Sequence, residues 1–302
     1  MKKPDLLSYT LLLILAAIWG SAFFNYKIVL KSFDIFTLAG GRVFFGSILT
    51  VIIALCFNSV KFKNFFSKDF YLFFLIGLTN YAIPFVFIAI GIEKMSSGLA
   101  ALLMSAGPFY AITLSHFLTE DKFNNYKFIG TCIGFFSVGI LVYDQIYITE
   151  TTNFLSIFFV MIASLSYIIG GLIIKKNIKN YNNETISCFS MIWGTLILTP
   201  FALYFYDKSS EKIFEADSLY SLIYLGLVPT ALAFYIRSEI IKKNGLVFMS
   251  QVSLLLPIFG VFFSYLFLNE LIYKSMFISL FFLFIGLAVL QLGYKKKLLA
   301  NF

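Results

Sequence analysis

The chain has 302 residues, of which 60% are hydrophobic, 20% aromatic and 13% charged, and its mean hydropathy is +0.90. A soluble domain is roughly half apolar and about a quarter charged, so this chain cannot cover a water-facing surface, which excludes a soluble enzyme, a nucleic-acid-binding domain and a disordered protein. Its formal charge of +8 therefore matters through the position of the charges along a membrane chain, not through their sum.

The chain opens with Met1-Lys2-Lys3-Pro4-Asp5 and then an apolar run. It begins like a signal peptide, but no small-x-small cleavage site closes a short apolar region, and the run continues through Trp19 to about Asn25. It reads as a retained first span. Further runs follow in order, giving spans near 6–26, 35–57, 70–90, 96–118, 126–143, 153–174, 185–206, 218–240, 245–268 and 275–293. Each has about the length a helix needs to cross roughly 30 Å of hydrocarbon. The runs are continuous and lack period-2 alternation, which excludes a β-barrel. The expected fold is an all-α membrane protein of ten transmembrane helices.

The lysines orient it. With the N-terminus inside, the inside segments hold about fifteen lysines and the outside loops about five, a bias that places both termini in the cytoplasm. Shifting the chain by 149 residues aligns Gly77 with Gly226, Leu78 with Leu227, Phe85 with Phe234, Pro108 with Pro257, and Asp121 with Glu270. Near the first span the shift is 148, which pairs Trp19 with Tyr167. The expected halves are 1–148 and 149–302. Each carries five spans, an odd number, so the two are inserted upside down to one another, as in carriers that work by alternating access.

With these residues in view, the sequence resembles the drug/metabolite transporter superfamily in its ten-helix EamA branch, over nearly the whole chain. The resemblance rests on Trp19-Gly20-Ser21 with Phe24 and Lys27, on Phe36-Thr37-Leu38-Ala39 leading to Arg42, and on Pro108 followed by Asp121. In the second half it rests on Gly226, Thr230, Phe234, Gly245, Pro257, Leu268-Asn269-Glu270 and Gly286. Two positions depart from the pattern: Glu120 stands where a glycine is usual, and Leu246 follows Gly245 where alanine is frequent. Both departures bear on the transfer of substrate identity.

The resemblance implies a substrate cavity between the halves, lined by spans 1, 3, 4, 6, 8 and 9. Helix rise gives an independent depth: Trp19, Tyr167 and Thr230 lie about 20 Å into their spans and Asn80 about 16 Å. The candidate substrate-binding set is Trp19, Asn80 with its neighbour Tyr81, Tyr167 and Thr230. It also takes in Ser105 and Tyr110, which flank Pro108, and Gln251 and Ser253, which precede Pro257. Ser105, Ser253 and Thr230 fit equally well as interhelical hydrogen-bond glue. Pro84, Pro108, Pro229 and Pro257 each remove a backbone donor inside a span and are candidate gating points, with static kinks as the alternative.

Arg42, about 12 Å below the outer surface, completes the set. Two roles are open to it: attracting a substrate carboxylate or phosphate, or pairing with helix-end carbonyls or Asp34. As a general family feature it fits the structural role better. Arg237 and Glu239 are read as an inner rim, and Glu93 and Lys94 as the corresponding outer corner. No Asp or Glu occupies the middle third of a span, and His116, the single histidine, lies near the inner end of span 4, where it caps a helix end or sits at the interface. This inventory fits facilitated flux or exchange without a dedicated coupling acid.

Cys56, Cys132 and Cys188 sit in apolar runs without a CxxC pair, so neither metal nor other cofactor is expected. Gly130-x-x-x-Gly134 suits close packing, and span 5 offers a dimer contact to a chain otherwise read as a monomer. The only other partners expected are a small-molecule substrate and the lipid bilayer. An intramembrane protease is excluded because no GxGD motif or serine-histidine pair lies at depth. A lipid flippase or scaffold would want a basic head-group site, and only Arg42 offers one. The family's known substrates point first to export of amino acids or their derivatives. Uptake of a nucleoside-like metabolite such as S-adenosylmethionine comes second. Lysine outnumbers arginine 21 to 2, which fits an AT-rich bacterial genome and hence an inner membrane.

Overall fold

The computed structural model describes residues 5–57, 60–66, 68–118, 122–148, 152–177, 181–206, 213–244 and 246–299. Among these, nine helices are long and apolar enough to cross a membrane, and a tenth apolar helix is shorter. They are α1 (Leu6–Ser32), α2 (Ile35–Cys56), α3 (Phe70–Glu93), α4 (Ser97–Leu118) and α5 (Asn125–Tyr147) in the first half. The second half holds α6 (Phe154–Ile174), α7 (Asn183–Tyr206), α8 (Ala216–Ile241), the short α9 (Val252–Leu268) and α10 (Lys274–Tyr294). Asp121, Glu120 and Gly245, singled out from the sequence, lie outside the described residues.

Local chemistry sets the helix ends. Asp34 caps α2 by accepting from the backbone N–H of Phe36 and Thr37, at 2.8 and 3.0 Å. That fixes the corner after α1, which runs through Lys27 and Lys31 to Ser32. The first span is thus longer than the sequence suggested, because a lysine near a helix end does not stop the helix. Ser96 caps α4 through the Leu99 N–H, and Asn124 caps α5 through the Lys127 N–H.

The prolines shape the interiors. α3 and α8 each contain one stretch of wider π-helix, Leu78–Ala82 and Leu227–Leu232. The two begin 149 residues apart, so the repeat seen in the sequence recurs as a shared backbone irregularity. In α3 the stretch runs up to Pro84. In the wide register the Thr79 carbonyl would look to the N–H that Pro84 lacks, and Ser166 Oγ of α6 donates to it instead, at 2.8 Å. In α8, Pro229 withdraws the N–H that would serve the Leu225 carbonyl, and Thr230 Oγ1 donates to that carbonyl at 2.8 Å. α4 tightens at Ser105 and Ala106, just ahead of Gly107-Pro108. The ninth span breaks as well: a short helix, Leu246–Met249, and a turn at Ser250-Gln251 precede α9.

The helices of the first five spans pack against those of the second five in matching pairs. α5 lies on α10, α2 on α7 and α4 on α9, each helix on its own counterpart. α1 lies on α8 and α9, and α6 correspondingly on α3 and α4. Close approach of α5 and α10 depends on glycine. A methyl group added at Gly130 would stand 2.7 Å from both the Gly286 carbonyl oxygen and the Leu290 nitrogen, and one at Gly134 would run into the Phe109 ring. The glycine face of α5 is therefore taken up by α10 and α4 of the same chain. Large apolar side chains such as Phe44, Ile48, Phe128, Phe136 and Phe277 are exposed on the outside of the bundle, as a surface facing acyl chains requires. The chain is a multi-pass membrane protein.

Candidate functional site

A cavity of about 380 Å³ lies between the halves. Its wall is built from α1, α3, α4, α6, α8 and α9, and also from α2 through Arg42. Burial gives it a direction. Tyr26, Arg42 and Phe85, at one end, are nearly inaccessible, at 1%, 6% and 3%. Trp19, Asn80, Tyr167, Phe234 and Arg237 are half-buried, and Gly171 is exposed. The cavity is closed at Arg42 and opens toward the face where α1 begins, here the N-face. On the opposite face the halves are tied together. The Glu270 carboxylate accepts from Ser97 N, Ser97 Oγ and Gly98 N, at 3.0, 3.0 and 3.2 Å, and Ser97 Oγ shares a 2.7 Å bond with Ser264 Oγ. The Oγ of Ser32 donates to Ser218 Oγ at 3.0 Å, linking the end of α1 to the start of α8.

Arg42 anchors the closed end. Its Nε donates to Thr230 Oγ1 and its Nη1 to the Tyr26 hydroxyl, both at 2.8 Å. Its guanidinium lies 3.9 Å from the centre of the Phe85 ring. The pairing expected from the sequence does not form: Asp34 is spent on capping α2, and no helix-end carbonyl accepts from Arg42 among the described residues. Thr230 is both glue and lining, because one hydroxyl repairs the Pro229 break, holds Arg42 and faces the cavity.

Of the other candidates, Trp19, Asn80, Tyr81 and Tyr167 come together on the wall, as does Pro229. The Tyr81 hydroxyl is engaged with Ser187 Oγ at 2.7 Å. Asn80 Oδ1 is buried without a partner, pressed against Gly170. Ser105, Tyr110, Gln251 and Ser253 are not on the wall. Ser105 Oγ donates to the Ala101 carbonyl one turn back at 2.8 Å. Tyr110 packs into the core, 5.4 Å from the Phe135 ring. Gln251 lies in the turn that precedes α9, and Ser253 in the first turn of that helix. Pro84, Pro108 and Pro257 are not on the wall.

His116 is not on the wall. Its Nδ1 accepts from the Phe123 N–H at 3.2 Å, which ties the last turn of α4 to the residues just ahead of α5. Among the described residues no cluster of His, Cys, Asp or Glu could hold a metal ion.

Sequence reasoning missed Tyr26, Phe85, Phe234 and Arg237 as wall residues. Phenylalanines were too many to single out, at 39. For Arg237 a signal did exist. The chain has two arginines against 21 lysines, and both arginines stand on this wall.

Ten apolar helices, packed in two halves around a largely aromatic hollow that carries two arginines, make this a helical membrane protein with an internal cavity. A sequence model of the EamA-like transporter family matches residues 6–143 and again 154–292, and the chain belongs to that family. It is 24% identical over 263 residues to the uncharacterized transporter YdfC of Bacillus subtilis, covering 85% of this chain and 82% of that protein. It is also 24% identical over 296 residues to a protein of Escherichia coli named as a probable amino-acid metabolite efflux pump, covering 95% of each. A solved crystal structure superposes with a TM-score of 0.68 at 12% identity, over 95% of this chain and 98% of its own, which establishes likeness of fold alone.

Proposed function

We propose that this chain is a carrier, not an enzyme, that exports or exchanges small metabolites such as amino acids or their derivatives by alternating access at the cavity between its halves. One observation supports this most directly: the cavity is sealed at the Ser97–Glu270 face and open at the N-face, which is one of the two states that alternating access requires. Read with the lysine bias, the N-face is the cytoplasmic one, and the open state is then the one in which an exporter would load its substrate. The likeness to the Escherichia coli efflux protein over 95% of both chains agrees with that direction. Among the described residues the wall holds no carboxylate or histidine to carry a proton, which favours facilitated flux or exchange.

Counterflow with purified protein in liposomes tests the reading. Vesicles preloaded with an unlabelled amino-acid derivative should accumulate the labelled compound, and protein-free vesicles should not. Trp19→Ala and Asn80→Ala should abolish that flux and leave the folded fraction nearly unchanged. No counterflow with any of a broad metabolite panel removes the proposal.

A further inference from the structure

We infer that the cavity is selective for organic anions: a carboxylate or phosphate group held by Arg42 and Arg237, carried on an apolar or aromatic body that lies against Trp19 and Tyr167. The inference rests on the reading of this cavity as the substrate site and adds the chemistry of what enters it.

Both arginines of the chain face this one hollow, and among the described residues no Asp, Glu or His does. Lysine supplies the positive charge elsewhere, so the guanidinium group is confined here to the substrate cavity. Arginine differs from lysine in what this place needs: it is less strongly hydrated, always charged, and shaped to grip two oxygens at once. Arg42 is held rigid by Tyr26, Thr230 and the Phe85 face. Two of its roughly five N–H donors are committed to neutral hydroxyls and its charge is met only by the Phe85 and Tyr26 ring faces, which leaves donors free and no counter-ion at the closed end of the cavity. A cation in such a place is costly unless something neutralises it.

Arg237 repeats the pattern at the mouth. It lies seven residues beyond Thr230 on α8, about 10 Å nearer the N-face, and has no hydrogen bond or ion pair among the described residues. The remaining polar groups of the wall add donors, the indole N–H of Trp19 and the Asn80 amide. An oxyanion therefore meets a guanidinium at the entrance and a second at the closed end, with aromatic walls between them for the rest of the molecule. An ammonium or sulfonium meets the same aromatic faces but also two positive charges and no carboxylate. The volume, about 380 Å³, admits one molecule of metabolite size.

Isothermal titration of the purified full-length protein in detergent tests this without requiring transport. The probes share one ring: N-acetylphenylalanine as carboxylate, phenyl phosphate as phosphate, N-acetylphenylalanine amide as neutral control and phenethylamine as cation. At least one oxyanion should bind about tenfold or more tightly than the amide, and the amine most weakly, as a charge-assisted hydrogen bond implies. The two oxyanions compared with each other identify the preferred head group. Arg237→Gln should lose about tenfold in oxyanion affinity and leave binding of the amide unchanged. Because Arg237 has no partner to abandon, this variant keeps the test open if Arg42→Gln fails to fold. Equal binding of acid and amide, tighter binding of the amine, no binding of either oxyanion, or unaltered discrimination in Arg237→Gln each overturns the inference. Selective anion binding without any counterflow supports the inference and removes only the transport reading.

Discussion

Glu270, in the turn after α9, accepts hydrogen bonds from the backbone N–H and the side-chain hydroxyl of Ser97, both at 3.0 Å. Ser97 opens α4 in the other half of the chain, so this pair joins the halves on the face where the cavity is shut. The carboxylate is well placed for the task, since the first turn of α4 presents unpaired N–H groups and the positive end of the helix dipole. Opening this face requires breaking the bonds.

Glu270→Gln removes the charge and should weaken the contact by roughly 1–2 kcal/mol, shifting the protein toward the state open on the opposite face. A cysteine placed at Ile88, near the closed end, in a chain freed of Cys56, Cys132 and Cys188, reports the shift. Maleimide applied from that face should label it several-fold faster in the Glu270→Gln background. Unchanged labelling would show that the seal does not depend on Glu270.

Thr230 bridges the halves deeper in the membrane. Thr230→Val keeps the shape and deletes the hydroxyl, which strands both Arg42 Nε and the Leu225 carbonyl in a buried place. The expected loss of stability is about 1–3 kcal/mol, read as a lower unfolding temperature in detergent, and Thr230→Ser should restore most of it. A Thr230→Val protein as stable as the parent would show that water substitutes for the hydroxyl.

These two contacts also mark what the sequence could and could not say. The helices were legible because runs of apolar residues near membrane length admit one conformation in lipid, and the repeat was legible from Gly77 and Gly226. Depth along a helix was legible from residue count, which put Trp19, Asn80 and Tyr167 near the middle of their spans, and all three line the one cavity. Rotation about the helix axis was not. A span that is apolar on every side has no stripe to tell the inward face, so Ser105 and Tyr110 fell at a suitable height on the wrong side of α4. The partners of Arg42 were hidden for a different reason. Thr230 lies 188 residues away in sequence, and the near neighbour Asp34 offered a plausible partner that helix capping had already claimed.

Asp5 gives a pH dependence outside the membrane. Its carboxylate accepts from Ser8 Oγ at 2.6 Å and Ser8 N at 3.0 Å, and Lys243 Nζ lies 2.9 Å away. These bonds, the Ser8 hydroxyl first, hold the carboxyl well below the usual carboxylate range. A depressed folded value means that the contribution is present in full above the unfolded value and is lost as pH falls through the folded one. The unfolding temperature of the parent should therefore exceed that of Asp5→Asn by a constant margin above about pH 4, and the margin should shrink on further acidification. A margin that instead grows in acid would contradict the assignment. The pair is exposed, so the margin is small.

The adjacent glycines of α6 provide a paired comparison. A Cβ at Gly170 would stand 2.0 Å from Asn80 Oδ1 and 2.7 Å from Thr79 Oγ1, whereas one at Gly171 would meet nothing within 4 Å. Gly170→Ala should displace Asn80 from the cavity wall and disturb the wide turn of α3 that Ser166 supports. Flux should fall at least tenfold, with a stability loss of roughly 1–3 kcal/mol from overpacking. Gly171→Ala replaces a poor helix former with the best one in open space and should raise stability by up to about 1 kcal/mol. Because Gly171 stands at the mouth, a methyl group there narrows the opening slightly without touching Asn80, and flux should stay within about twofold by the same packing argument. Thermal unfolding and counterflow on both variants check this. If Gly170→Ala transports as well as Gly171→Ala, the position of Asn80 does not govern passage through the cavity.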